Sequence, residues 1–176
     1  VKRAVFFDRD GVLVETLVRD GRAYAPLSLD EFRITAGAGE LVQRVREAGL
    51  LPIVFTNQPD VARGLVTAAT LDEMHARLRR AVPVEDIFVC AHAADDGCAC
   101  RKPKPGMLRA AAAKWSIDLA RSFVVGDRSQ DVDAGRAVGC CTVLIARPYS
   151  GRPGADVQVA DLAGAVSAVL DRVGDD

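Results

Sequence analysis

Three short runs constrain this chain more than anything else in it: Phe7-Asp8-Arg9-Asp10-Gly11-Val12, Val54-Phe55-Thr56-Asn57-Gln58 and Val124-Val125-Gly126-Asp127. In each, polar residues follow directly on a β-branched or aromatic apolar stretch. Strands buried on both faces of a parallel sheet read this way, and ligands of such sheets bind beyond the carboxyl ends of the strands. Three separated segments therefore deliver polar groups to one crevice. A lone Asp after a strand is ordinarily a helix N-cap or a turn former. Here, however, several features fit one chemistry: Asp-x-Asp near the start, a hydroxyl after the second strand, a lysine after the third and Gly-Asp-x-x-x-Asp after the fourth.

Apolar runs at 4–7, 51–55, 87–90, 123–125 and 142–145 read as strands, with a weaker one at 157–160. Helical spacing falls between them, at 40–48 before Gly49, 105–115, 130–138 before Gly139, and 162–173. Thr70 and Glu73 form a capping-box pattern that opens a helix through Arg80. Strands alternating with helices predict an α/β fold, a doubly wound parallel sheet joined by right-handed crossovers. With 176 residues the expectation is a single domain spanning 1–176. Residues 17–33 carry turn signals and predict a loop or hairpin over the site, too short for a separate capping domain, so the crevice should be open.

Net charge is −1, which removes the electrostatic case for a nucleic-acid binder. A small anionic substrate fits, held locally by Arg101, Lys102, Lys104 and Arg128. No run approaches the ~18 apolar residues of a membrane span. The chain enters a strand at Ala4 with no signal-peptide pattern before it, so a cytoplasmic protein without membrane contact is expected.

These residues suit phosphoryl transfer. Asp8 is placed to attack phosphorus, giving an aspartyl-phosphate. Asp10 is placed to protonate the leaving alcohol and then activate water. Side chains at i and i+2 of a strand point the same way, and Gly11 lets the chain turn so that both carboxyl groups face substrate. Magnesium beside Asp8 and Asp127 would offset the approach of one anion to another. Thr56 and Lys102 would bind the transferring phosphoryl oxygens, Asn57 would position loop or substrate, and the prolines around Lys102 stiffen its loop.

Cys90-x-His92, five residues, then Cys98-x-Cys100 is the ligand inventory of a closed tetrahedral zinc site. The intervening residues have almost nothing to bury, so a metal cross-link is a source of order, and Arg101 and Lys102 follow it directly. Cys140 and Cys141 read as small core residues of a buried strand.

Together, Asp-Arg-Asp-Gly at 8–11, Thr-Asn-Gln at 56–58, Ala-Arg-Gly at 62–64, the Cys/His pairs, Arg-Lys-Pro-Lys-Pro-Gly-Met at 101–107 and Gly-Asp at 126–127 resemble the haloacid dehalogenase superfamily. Their details are similar to its D-glycero-D-manno-heptose-1,7-bisphosphate 7-phosphatase branch over residues 3–170, with the histidinol-phosphate phosphatase branch as the near rival. The resemblance implies a Rossmann-like sheet with no large cap. It implies Asp8 as nucleophile, Asp10 as acid and base, Thr56 and Lys102 as phosphoryl stabilisers, and magnesium held by Asp8, the Asp10 carbonyl and Asp127. Arg101 is implied to recognise a phosphorylated sugar. Arg128 stands where the family often has a substrate-touching lysine, and Tyr24 lies in the stretch that resembles its substrate loop. Arg9, Asn57 and Gln58 are expected among the substrate contacts, in a monomer. One departure is Pro59-Asp60, where the family usually has Ser-Gly after Thr-Asn-Gln.

Overall fold

Alternation in β1 (Arg3–Phe7) decides the layers: Val5 and Phe7 join one hydrophobic core, Ala4 and Phe6 the other, and all four are fully buried. The computed structural model describes residues 1–151 and 153–174. After β1 come β2 (Leu17–Arg19), β3 (Arg22–Tyr24), α1 (Ala38–Glu47), β4 (Leu50–Asn57), α2 (Pro59–Ala62), α3 (Ala68–Ala81) and β5 (Asp86–Cys90). The second half has α4 (Gly106–Trp115), a 3-10 turn (Leu119–Arg121), β6 (Phe123–Gly126), α5 (Ser129–Arg136), β7 (Cys141–Ile145), β8 (Val157–Val159) and α6 (Leu162–Gly174). The expected domain at 1–176 includes residues 152, 175 and 176, which lie outside the described residues.

Six strands form one sheet in the order β5-β4-β1-β6-β7-β8, and every pairing is parallel. On one face Val5, Phe7, Val54 and Val125 pack against α1, α3 and α6 through residues such as Val45, Met74 and Val166. On the other, Phe6, Phe55 and Val124 pack against Met107, Leu108 and Ala111 of α4 and Ala134 of α5. The sheet is doubly wound, as the alternation of elements predicts. The chain leaves β1 toward β4 and β5 on one side and reaches β6 on the other, so the topological switch falls at β1. That places the carboxyl ends of β1, β4 and β6 side by side, and there the three polar runs meet.

Several local expectations shift. The α3 N-cap is Thr67, whose hydroxyl accepts from the Thr70 N–H at 3.1 Å; Thr70 is already inside the helix, because the good helix formers Ala68 and Ala69 carry it one turn earlier. Residues 17–24 form an antiparallel hairpin, β2 with β3, whose turn places Asp20 and Gly21 at positive φ. Pro59 opens the short helix α2, which the sequence reading did not contain; its missing N–H costs nothing at that position. Cys140 is buried just before β7, and Cys141 at its start is half-buried. Among the described residues no helix is long and apolar enough to cross a membrane.

Candidate active site

A crevice of about 300 Å³ opens at the switch point, lined by Asp8, Asp10, Asn57, Arg101, Lys102 and Arg128 together with Ala23, Tyr24 and Ala25 of the hairpin and Pro59, Asp60 and Arg63 beside α2. At its floor Lys102, 2% exposed, reaches Asp8 at 2.9 Å and Asp131 at 2.6 Å, and donates to the Phe55 carbonyl at 3.1 Å. A buried ammonium so surrounded stays charged; Asp131 and Asp8 raise its pKa well above the ordinary lysine value, against the pull of burial. Asn57 fixes the lysine's backbone from both sides: its amide donates to the Lys102 carbonyl at 3.2 Å and its carbonyl oxygen accepts from the Lys102 N–H at 3.0 Å.

Asp127 is fully buried after β6, and its Oδ1 has no hydrogen-bond partner among the described residues. Carboxylate oxygens of Asp8, Asp127 and Asp131 lie within 4.8 Å of one another. Burial, then the Asp131 charge, raises Asp127 to about 6, and burial with Asp131 also raises Asp8 well above the usual carboxylate range. Clustered buried acids with an orphaned oxygen, offset by Lys102 and, at Asp127, by Arg128, fit a hard divalent cation. Gly11 makes the cluster possible. It sits at φ 88°, and a Cβ there would lie 2.0 Å from Asp127 Oδ2.

Arg9 and Gln58, expected among the substrate contacts, do not line the crevice. Arg9 is fully buried; it grips Asp10 through Nε at 3.0 Å and Nη2 at 3.1 Å, donates to Gln58 Oε1 at 3.0 Å and lies over the Phe32 ring. Its Nη1 is 3.2 Å from His75 Nε2; burial and the Arg9 charge hold His75 down to about 4, so the neutral ring accepts. Gln58, also buried, donates to Asp10 at 2.7 Å and to the Thr56 hydroxyl at 2.9 Å. These two residues brace Asp10 from behind the crevice. The Thr56 hydroxyl accepts from Gln58, which leaves its own proton for an incoming oxygen.

Arg128 donates to the Ala23 carbonyl at 3.0 Å, tying the hairpin to the site. Arg101 Nη1 is buried without a hydrogen-bond partner among the described residues, an orphaned donor that suits an anion. Asp60 pairs with Arg63 at 3.1 Å, so the charge introduced by Pro59-Asp60 meets a counterion at the rim.

At the end of β5, Cys90, His92, Cys98 and Cys100 converge. Cys90 Sγ is 3.7 Å from Cys98 Sγ and 3.1 Å from Cys100 Sγ, and His92 Nδ1 is 3.5 and 3.2 Å from Cys90 and Cys100. Tetrahedral zinc with ordinary bond lengths requires separations of about 3.8 Å between sulfurs and about 3.6 Å from sulfur to nitrogen. The Cys90–Cys98 and His92–Cys90 separations match those values, the two contacts of Cys100 are shorter by about 0.7 and 0.4 Å, the donor set suits the ion, and Arg101 and Lys102 leave the cluster directly.

A HAD-hydrolase-like family model matches residues 99–152. The D-glycero-beta-D-manno-heptose-1,7-bisphosphate 7-phosphatase of Pseudomonas aeruginosa is 41% identical over 146 residues, 80% of this chain and 79% of that one. The Bordetella bronchiseptica protein of the same name is 38% identical over 148 residues, covering 81% of this chain and 80% of its own. The chain belongs to the haloacid dehalogenase-like phosphatases. A crystal structure of the D,D-heptose 1,7-bisphosphate phosphatase from B. bronchiseptica, complexed with magnesium and phosphate, superposes on this phosphatase with a TM-score of 0.84 at 34% identity, covering 97% of this chain and 99% of the other.

Two residues of the phosphatase's site lay outside the sequence reading, and a third was read only as part of a pattern. Asp131 was visible as the last residue of Gly-Asp-x-x-x-Asp, but its Oδ2 also accepts from the Asp127 and Arg128 N–H groups, the helix-capping role that such a position ordinarily has. Tyr149 and Ser150 reach Asp127 from the loop after β7: the Tyr149 hydroxyl donates to Oδ2 at 2.6 Å and the Ser150 hydroxyl donates to the Asp127 carbonyl. No local pattern marks either one.

Proposed function

We propose that this phosphatase removes the 7-phosphate of D-glycero-β-D-manno-heptose 1,7-bisphosphate, as a cytoplasmic monomer built as one domain and without nucleic-acid partners. The observation that supports it most is the crevice floor, where buried Lys102 bridges Asp8 and Asp131 beside the orphaned oxygen of Asp127, in a chain 41% identical to an enzyme of that name.

Asp8 attacks phosphorus; a bond forms from its carboxylate oxygen and the bond to the sugar oxygen breaks. Asp10 gives its proton to the departing sugar oxygen. In the second displacement Asp10 takes a proton from water, the water oxygen bonds to phosphorus, and the bond to Asp8 breaks, releasing phosphate. Lys102 and the Thr56 hydroxyl hold the phosphoryl oxygens, where charge builds as the transition state forms. Arg9 and Gln58 keep Asp10 in place throughout. Asp8 and Asp127, with the Asp10 carbonyl and Asp131 nearby, would hold magnesium, which offsets the charge between the attacking carboxylate and phosphate. Arg101 and Arg128 receive the anionic remainder of the substrate. Cys90, His92, Cys98 and Cys100 would hold a structural zinc that fixes the Arg101-Lys102 loop.

The test is phosphate release, with magnesium, from both anomers of heptose 1,7-bisphosphate, histidinol phosphate, fructose 1,6-bisphosphate and a 3′-phosphorylated oligonucleotide, with Asp8→Asn as blank. The reading expects the β-anomer to lead the panel by about a hundredfold or more in kcat/KM, about 2.7 kcal/mol of differential transition-state binding. Even activity across the panel, or a lead for histidinol phosphate, overturns the substrate assignment.

A further inference from the structure

Asp127 is held on three sides, by Asp131 from the next helix and by two groups from the loop after β7. Asp131 accepts from its N–H at 3.2 Å, and Ser150 donates to its carbonyl. The third is Tyr149, whose hydroxyl donates to Oδ2 at 2.6 Å, leaving Oδ1 with no partner among the described residues. The ring itself is fixed. Arg128 lies over it, 5.4 Å from the centroid, and the Thr16 hydroxyl is 3.5 Å from its own hydroxyl. Room for that hydroxyl depends on Gly11, where a Cβ would come within 3.0 Å of it. On its far side Tyr149 lines a separate cavity of about 420 Å³, with Glu15, Thr16 and Arg147, that Asp127 does not line.

A carboxylate with two free oxygens rotates about its Cβ–Cγ bond and presents either to a cation. One oxygen tied by a short hydrogen bond leaves a single oxygen in a fixed direction, and partners of this kind typically set metal affinity by about 10- to 100-fold. We infer that Tyr149 is a positioning residue of the cation site, which by occupying Oδ2 of Asp127 presents Oδ1 as the ligand. The inference rests on the reading that Asp127 holds the catalytic cation. Tyr149 does not touch substrate or reacting atoms in this role; it acts through Asp127.

The experiment is calorimetric titration of magnesium into the wild type and Tyr149→Phe, both prepared without added magnesium. Tyr149→Phe keeps the ring beneath Arg128 and removes only the hydroxyl. The expected result is magnesium affinity weaker by about 10- to 100-fold in a variant that still unfolds cooperatively without metal, its midpoint lowered by the lost hydrogen bond alone. An affinity within twofold of the wild type overturns the inference. A second measurement stands apart from the folding of that variant: tyrosine absorbance during the titration. The chain has two tyrosines, so Tyr24→Phe leaves Tyr149 alone. Its spectrum should shift on magnesium binding, and a flat spectrum at saturation overturns the inference. A wild type that binds no magnesium instead overturns the cation reading beneath it.

Discussion

Replacing Lys102 by Met keeps the length of the side chain and removes its charge from the most crowded part of the crevice. The ammonium is 2% exposed, 2.6 Å from Asp131 and 2.9 Å from Asp8. Removing one partner of a buried ion pair costs about 3–5 kcal/mol, because the remaining charge is left uncompensated. Here a proton can partly stand in for the lysine, since burial and mutual repulsion already raise Asp8 and Asp127 above an unfolded carboxylate. The native cluster then binds more protons than the unfolded chain, so stability is lost as pH rises, by about 1.4 kcal/mol per pH unit for each excess proton. The variant's deficit should therefore be about 3 kcal/mol at pH 8 and shrink toward pH 5.5. Magnesium should restore about 2.7 kcal/mol at a hundred times its dissociation constant. Urea unfolding followed by Trp115 fluorescence measures both, first in magnesium-free buffer without chelator so that bound zinc stays in place, then with magnesium added. A deficit below about 1 kcal/mol at pH 8, or one of equal size at the two pH values, refutes the account of Lys102 as counterion to this cluster.

Asp8→Asn should abolish phosphate release while melting no lower than the wild type without magnesium, since it takes one charge out of a crowded buried set; substantial turnover would remove Asp8 from the nucleophile's role. Magnesium affinity should fall as pH drops below about 6, by up to tenfold per unit, because Asp127 is raised to about 6 and its protonated carboxyl is a poor ligand; calorimetry at pH 7.5 and 5 checks it. Metal analysis should find one zinc per chain, and chelation should lower both thermal midpoint and turnover; a zinc-free protein with all five cysteines titratable would disprove the Cys/His site.

What the sequence made legible is what a strand's end dictates. Asp8, Thr56 and Asp127 follow apolar runs, and in a parallel sheet such residues have one place to go, so the crevice followed from pattern alone. Spacing did the same for zinc, because Cys-x-His and Cys-x-Cys with a loop between them reach one point whatever the loop's path. Boundaries moved where neighbours compete: Ala68 and Ala69 extend α3 back to Thr67 although Thr70 and Glu73 carry the capping pattern. Tyr149 and Ser150 were invisible, since their contacts with Asp127 span 22 and 23 residues and depend on where the loop after β7 settles.

Arg9 does not line the crevice, and its surroundings show what it does instead. It lies in the turn just past the end of β1, between Asp8 and Asp10, which do line the crevice. Its guanidinium lies over the Phe32 ring, approaches His75 through Nη1 and grips Asp10 at 3.0 and 3.1 Å. The same geometry gives that arginine a use that a substrate contact would not. In the proposed mechanism Asp10 both gives and takes a proton, which needs a fixed direction, and two parallel hydrogen bonds from a buried guanidinium fix both of its oxygens. Gln58 adds a third bond and carries the constraint to the Thr56 hydroxyl. Arg9, just past β1, thus sets the orientation of Asp10, and through Gln58 it links the acid of the proposed mechanism to the hydroxyl proposed to receive the phosphoryl oxygens.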